Sequence, residues 1–148
     1  MYPEGETLIL AALRNVSGFS SSNTSRGDWG ILNSGKSQSY GIIKPGAFAR
    51  TEGAISMNIS NFRTVIQVWE RYKDDSTTLI SLETNVKNIT NYFDQYRKIG
   101  DTTGTIVDAF IAEGREVEEM WNKSGGLGWL KQDLILQWEE HDNVTYSE

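Results

Sequence analysis

Between Leu79 and Ile99 the apolar residues Leu79, Leu82, Val86, Ile89, Phe93, Tyr96 and Ile99 recur at spacings of three and four. That period predicts an amphipathic helix from about Ser76 to Ile99, with one apolar stripe running along roughly six turns. Asp74, Asp75 or Ser76 can cap its start. Arg97 and Lys98 suit the negative end of the helix dipole, and Gly100 can stop it. The stripe spans fewer than four heptads, so it points to a helix packed across a sheet rather than to a coiled coil.

The flanking segments carry a period of two. In Phe62 to Tyr72, Phe62, Thr64, Ile66 and Val68 share one face while Val65 and Trp69 share the other, which predicts a strand covered on both sides. Thr105 to Ala112 reads as a further strand. Glu116 to Asn122 and Trp129 to Glu140 read as two strands around the glycine-rich turn Lys123 to Gly128. In the last of them Leu130, Gln132, Leu134, Leu136 and Trp138 fall on one face. At the other end, Pro3, Glu4 and Glu6 open a short helix of about three turns, with Ile9, Ala12, Leu13 and Val16 on one face and Gly18 as a stop. Ser17 to Asp28 is polar and is expected to be a mobile loop. From Trp29 onward the composition turns β-like, with short strands at Tyr40 to Ile43 and Ala47 to Arg50 around a Pro45-Gly46 turn. Thr51 to Ser60 fits either strand or loop. The segment 141–148 is polar and is expected to fray. The order implies an α+β fold: one mostly antiparallel sheet carrying a short N-terminal helix and a long amphipathic helix, as a single domain over residues 1–148.

Composition narrows the function. The chain has 148 residues, 38% hydrophobic, with five tryptophans, which is ample for a packed core. A net charge of −6 argues against a general nucleic-acid binder and against docking on an anionic membrane. There is no cysteine, hence no disulfide, thiolate ligand or cysteine nucleophile. Leu8 to Leu13 is too short for a signal peptide, and no run approaches the roughly 20 apolar residues of a membrane helix, so the chain is expected to be soluble and intracellular. The N-x-[ST] triplets then reflect composition rather than glycosylation.

The chemical candidates are few. Gly30 to Ser37 (GILNSGKS) matches the phosphate-loop pattern G-x-x-x-x-G-K-[ST], in which backbone amides wrap phosphates at a helix start. The polar run before it and the β-like Gln38 to Gly46 after it, with Gly41 and Pro45 where a helix would run, are the wrong flanks. His141 lies among Glu139, Glu140 and Asp142 and reads as a solvated histidine. Glu113, Glu116, Glu118 and Glu119 lack the pattern of a calcium loop. No catalytic, cofactor-binding or metal-ligating residue emerges, which favours a binding or assembly role. Trp29, in a polar stretch, and Trp121 and Trp129, beside the glycine-rich turn, are either core residues or interface anchors.

Three segments together carry a family resemblance: Trp29 to Ser37 with Tyr40 to Phe48, then Phe62 to Ile99, then the closing strand Leu134 to Glu140. In this order they resemble the tail-terminator, or tail-completion, proteins of long-tailed bacteriophages, whose opening β-hairpin follows a short N-terminal helix. The resemblance covers most of the chain and rests on element order rather than on an invariant motif. It implies a structural virion protein that forms a hexameric ring on the head-proximal end of the tail tube. Such a ring halts tube polymerisation, joins the tail to the head connector and binds no cofactor. Six copies would carry about −36, which would let DNA pass the lumen without sticking. The contact residues it suggests are Trp29, Lys36, Tyr40, Lys44, Trp121 and Trp129. Other readings are a different neck or tail-tube protein, or a small nucleotide-binding enzyme using Gly30 to Ser37.

Overall fold

The computed structural model describes residues 2–44, 48–54, 57–97 and 108–143, with the backbone alone at 2–5, 48–54, 57–60 and 140–143. The chain runs α1 (Tyr2–Leu13), β1 (Thr24–Arg26), a 3₁₀ helix (Trp29–Ser34), β2 (Ser39–Lys44), β3 (Phe48–Ala54), β4 (Met57–Arg71), α2 (Asp75–Gln95), β5 (Asp108–Gly114), β6 (Glu118–Trp121) and β7 (Leu127–Asn143). The fold is α+β, and among the described residues the sheet has seven strands, of which only the β1–β2 pair is parallel.

Two long strands form the spine. β4 and β7 pair antiparallel from Met57–Asn143 to Arg71–Trp129 with no shift of register. Each carries two short strands end to end along its outer edge. On β4 these are β3, opposite Met57 to Phe62, and β2, opposite Val65 to Glu70. On β7 they are β5, opposite Leu134 to Glu139, and β6, opposite Leu127 to Lys131. The stretch left open between strand and loop is therefore β3 continuing to Ala54 and β4 beginning at Met57. The expected opening hairpin is not one: β2 and β3 each pair with β4 in turn, and the Pro45-Gly46 turn lies outside the described residues.

The pleat separates two cores. Toward the helices point Phe62, Thr64, Ile66 and Val68 of β4 and Leu130, Leu134, Leu136 and Trp138 of β7, all buried. They pack with Ile9, Leu13, Leu82, Ile89 and Phe93, and each such apolar burial contributes about 1.5–3 kcal/mol. Phe62 stacks on Trp138 at 4.1 Å, and Trp138 Nε1 donates to Thr64 Oγ1 at 3.0 Å, which satisfies both buried polar groups. Gly41 of β2 lies against Leu13 of α1 and Phe19 just after it. A Cβ there would lie 3.1 Å from Leu13 Cδ2 and 3.2 Å from Phe19 Cε1.

The opposite face holds a smaller cluster of Tyr40, Ile42 and Trp69, against which Ile31, Leu32 and Trp129 pack. Its cover is the 3₁₀ helix, so Trp29 opens a helical turn and not the strand that the composition suggested. Asp28 caps that turn by accepting from Gly30 N, and Gly35 ends it at φ +69°, a backbone region that favours glycine.

Three other expectations need correction. The polar segment before Trp29 contains β1, anchored by buried Asn23. Its Oδ1 accepts from Ser20 N at 2.7 Å, and its Nδ2 donates to the carbonyls of Gly18 (2.9 Å) and Ser39 (3.0 Å). A side chain that replaces strand-like backbone partners in this way leaves no hydrophobic signal to read. α2 stops at Gln95, short of the expected Ile99. Arg97 then turns to a bidentate pair with Asp108 (2.8 and 2.9 Å) instead of capping the helix, while Lys98, Ile99 and Gly100 lie outside the described residues. The apolar stripe is also shorter than its sequence: Leu82, Ile89 and Phe93 are buried, whereas Leu79 and Tyr96 at its ends are exposed. Finally, β7 continues through His141 to Asn143, because Met57 to Ile59 supply its partners. The side chain of His141 and residues 144–148 lie outside the described residues.

Candidate interaction surfaces

The phosphate-loop pattern does not adopt a phosphate-loop geometry. Ser34 ends the 3₁₀ helix and Lys36-Ser37 lead into β2, with no helix opening at the pair. The amides that would face phosphates have other acceptors: Lys36 N donates to Ser34 Oγ at 3.4 Å, and Ser37 N to Tyr40 Oη at 3.1 Å.

The six residues suggested as contacts separate into three situations. Lys36 and Lys44 are exposed, at the entry and exit of β2. Tyr40 is fully buried and cannot be a surface contact of the folded chain. Burial alone would raise its phenol pKa. Hydrogen bonds with the Ser34 hydroxyl and Ser37 amide, and the nearby Arg71, hold it below the ordinary tyrosine value. Trp129 is half-buried, edge-on to Tyr40 (5.7 Å) and Trp69 (6.0 Å), with the Arg71 guanidinium 4.4 Å from its ring centroid. It belongs to the second core. Of the six, Trp29 and Trp121 present aromatic surface, at 39% and 62% exposure.

Trp29 is held in place by a residue that no sequence signal marked. Buried Gln67, directly between Val65 and Trp69 on its face, accepts at Oε1 from Trp29 Nε1 (2.6 Å) and Trp69 Nε1 (3.4 Å). Beside it, buried Lys131 lies 3.0 Å from Glu118 and 3.4 Å from Asp133, and 5.5 Å over the Trp69 ring. Burial would lower the lysine pKa, but the two carboxylates hold it above the ordinary value. On the helix side, buried Glu70 accepts from Ser39 Oγ (2.6 Å) and Asn85 Nδ2 (3.2 Å), tying β2, β4 and α2 together. Desolvation raises its pKa despite those hydrogen bonds.

A second surface forms where α2 begins. An open groove of about 350 Å³ lies between its first turns and the β6–β7 hairpin, lined by Tyr72, Asp75, Leu79, Val117, Glu119 and Leu127. Leu79 and Val117 are 38% and 39% exposed there. Asp74 caps α2 by accepting from Thr77 N (2.8 Å) and Thr77 Oγ1 (2.7 Å), hydrogen bonds that lower its pKa. The Tyr72 hydroxyl donates to Asp75. That bond, then desolvation and the charges of Asp75, Asp74 and Glu119, raise the Tyr72 pKa; these three acids make the rim of the groove acidic. The sequence hint was Leu79, which begins the helical stripe before the sheet is there to cover it.

Among the described residues no cluster of three or more His, Asp or Glu side chains is placed to hold a metal ion, and no helix is long and apolar enough to cross a membrane. No family model matches the sequence, and no curated protein matches it.

Proposed function

We propose that this chain is a structural protein of the bacteriophage neck: a tail terminator that closes the head-proximal end of the tail tube as a ring, hexameric by resemblance, and meets the head connector. The observation that carries this reading is the order of elements. A short N-terminal helix is followed by strands, then by a long helix directly after the longest early strand, and then by a closing hairpin. The exposed Trp29 and Trp121 and the acidic groove support an assembly role, since aromatic side chains near loops are favoured anchors of protein contacts.

Electron microscopy of tails assembled with and without the protein tests the proposal. Overlong or length-heterogeneous tubes in its absence are the expected result. Tails of normal length that fail to join heads would assign it to head closure instead, and normal particles would overturn the reading. The partners are then the tail-tube protein and the head connector, with DNA passing through an acidic lumen.

A further inference from the structure

We propose that the groove between α2 and the β6–β7 hairpin docks a basic, apolar-anchored segment of another protein, added to the sheet as a strand along β6. This does not depend on the chain belonging to a phage neck.

Three features of the same corner carry it. First, β6 pairs with β7 alone among the described residues, and all four of its side chains are exposed. The outer N–H and C=O groups of such a strand are a template for one more strand, here about 13 Å long. Second, an added strand would run beside Leu79, Val117 and Leu127, where the groove has room for an apolar side chain. Third, the charge beside that edge is negative. Among the described residues Glu116 and Glu119 are exposed and in no ion pair, Asp75 accepts from the Tyr72 hydroxyl, and Asp74 stands alongside, as does Glu118 in its pair with Lys131. Lysine or arginine on the incoming strand would meet these acids, and attraction at the rim would set its register and speed its approach.

The same charges decide against a second copy of this chain. Pairing two β6 edges would set Glu118 and Glu119 of each against those of the other, and like charges directly opposite are destabilising. The chain also carries −6 overall.

The test uses the full chain and two synthetic peptides of equal length, one alternating leucine with lysine and the other leucine with glutamate. Amide NMR shifts are followed during titration. Saturable binding of the lysine peptide is expected, with shifts concentrated at Val117 to Trp121 and Leu127 to Leu130. Binding should weaken at least tenfold in Glu119→Lys and several-fold in Glu119→Gln. Leu79→Ser should weaken it without altering the thermal melt. No saturable binding of the lysine peptide would overturn the proposal, as would equal binding of the glutamate peptide or shifts centred elsewhere. Self-association in sedimentation that Glu119→Lys changes would give the groove to a second copy and overturn it as well.

Discussion

The two faces of the β4–β7 ribbon are buried by different means. The helix side is closed by α1 and α2 over a continuous apolar core, where the buried polar groups of Trp138 and Glu70 each have partners. The other side holds a smaller apolar cluster of Tyr40, Ile42 and Trp69 beneath one 3₁₀ turn, with Ile135 buried further along β7. It relies on Gln67 to accept the Trp29 N–H that the cover brings in, and its buried Lys131 is paired with Glu118 and Asp133. The first face gains stability from apolar area. The second gains definition from hydrogen bonds, whose net contribution is smaller but whose loss leaves orphaned groups behind.

Substitutions can break that contrast, beginning with the helix side. Phe93→Ala removes a fully buried ring and is expected to cost about 4 kcal/mol in denaturant unfolding. A loss under about 1 kcal/mol would mean that α2 is held by something other than its stripe. On the opposite side Gln67→Ala should cost about 1–2 kcal/mol, and should change the emission of Trp29 and Trp69 whose N–H groups it leaves unpaired. If it cost as much as Phe93→Ala, the two faces would not differ in kind.

Glu70 sharpens the comparison from within the apolar side. A carboxyl whose pKa rises on folding favours the folded state while protonated. That contribution is fully present below its ordinary value of 4.5 and is lost as the pH rises through the raised one. Glu70→Gln keeps an acceptor for Ser39 and Asn85 but cannot ionise. It is therefore expected to melt higher than the parent at neutral pH, with the gap closing as the pH falls below the carboxylate range. A gap that stays constant with pH, or reverses, would refute it. The smallest effect belongs to Trp121→Ser, outside both cores, which should change stability by no more than about 0.5 kcal/mol in the same melts.

Legibility in the sequence follows the same division. The helix face was readable because period and burial agree there: Leu82, Ile89 and Phe93 repeat with the helix, and the even positions of β4 and β7 repeat with the strand. The alternation of Val65 and Trp69 also revealed that the far side is covered. Its cover was hidden, because the 3₁₀ turn places Ile31 and Leu32 by a short period and an Asp28 cap. β1 was hidden for a related reason: Asn23 holds it through side-chain hydrogen bonds that composition reads as a loop. Of the candidate surface residues, Trp29, Trp121 and Trp129 carried one signal that fitted core or interface alike, and the structure exposes the first two and half-buries the third. Tyr40 was not legible as core, since tyrosine suits both places. The groove was invisible because it joins α2 to β6, more than thirty residues apart in the chain.

The unbroken β4–β7 register has a kinetic side. The pairs Met57–Asn143 and Arg71–Trp129 join segments separated by the whole of α2, β5 and β6, so the central ladder cannot zip from a local turn. The two strands must first meet across a long loop, and proteins built on such distant pairings fold slowly for their size. During synthesis β4 emerges well before β7, and for that interval one edge of the longest early strand has no partner. Until β7 arrives, that open edge is a template on which another chain can pair.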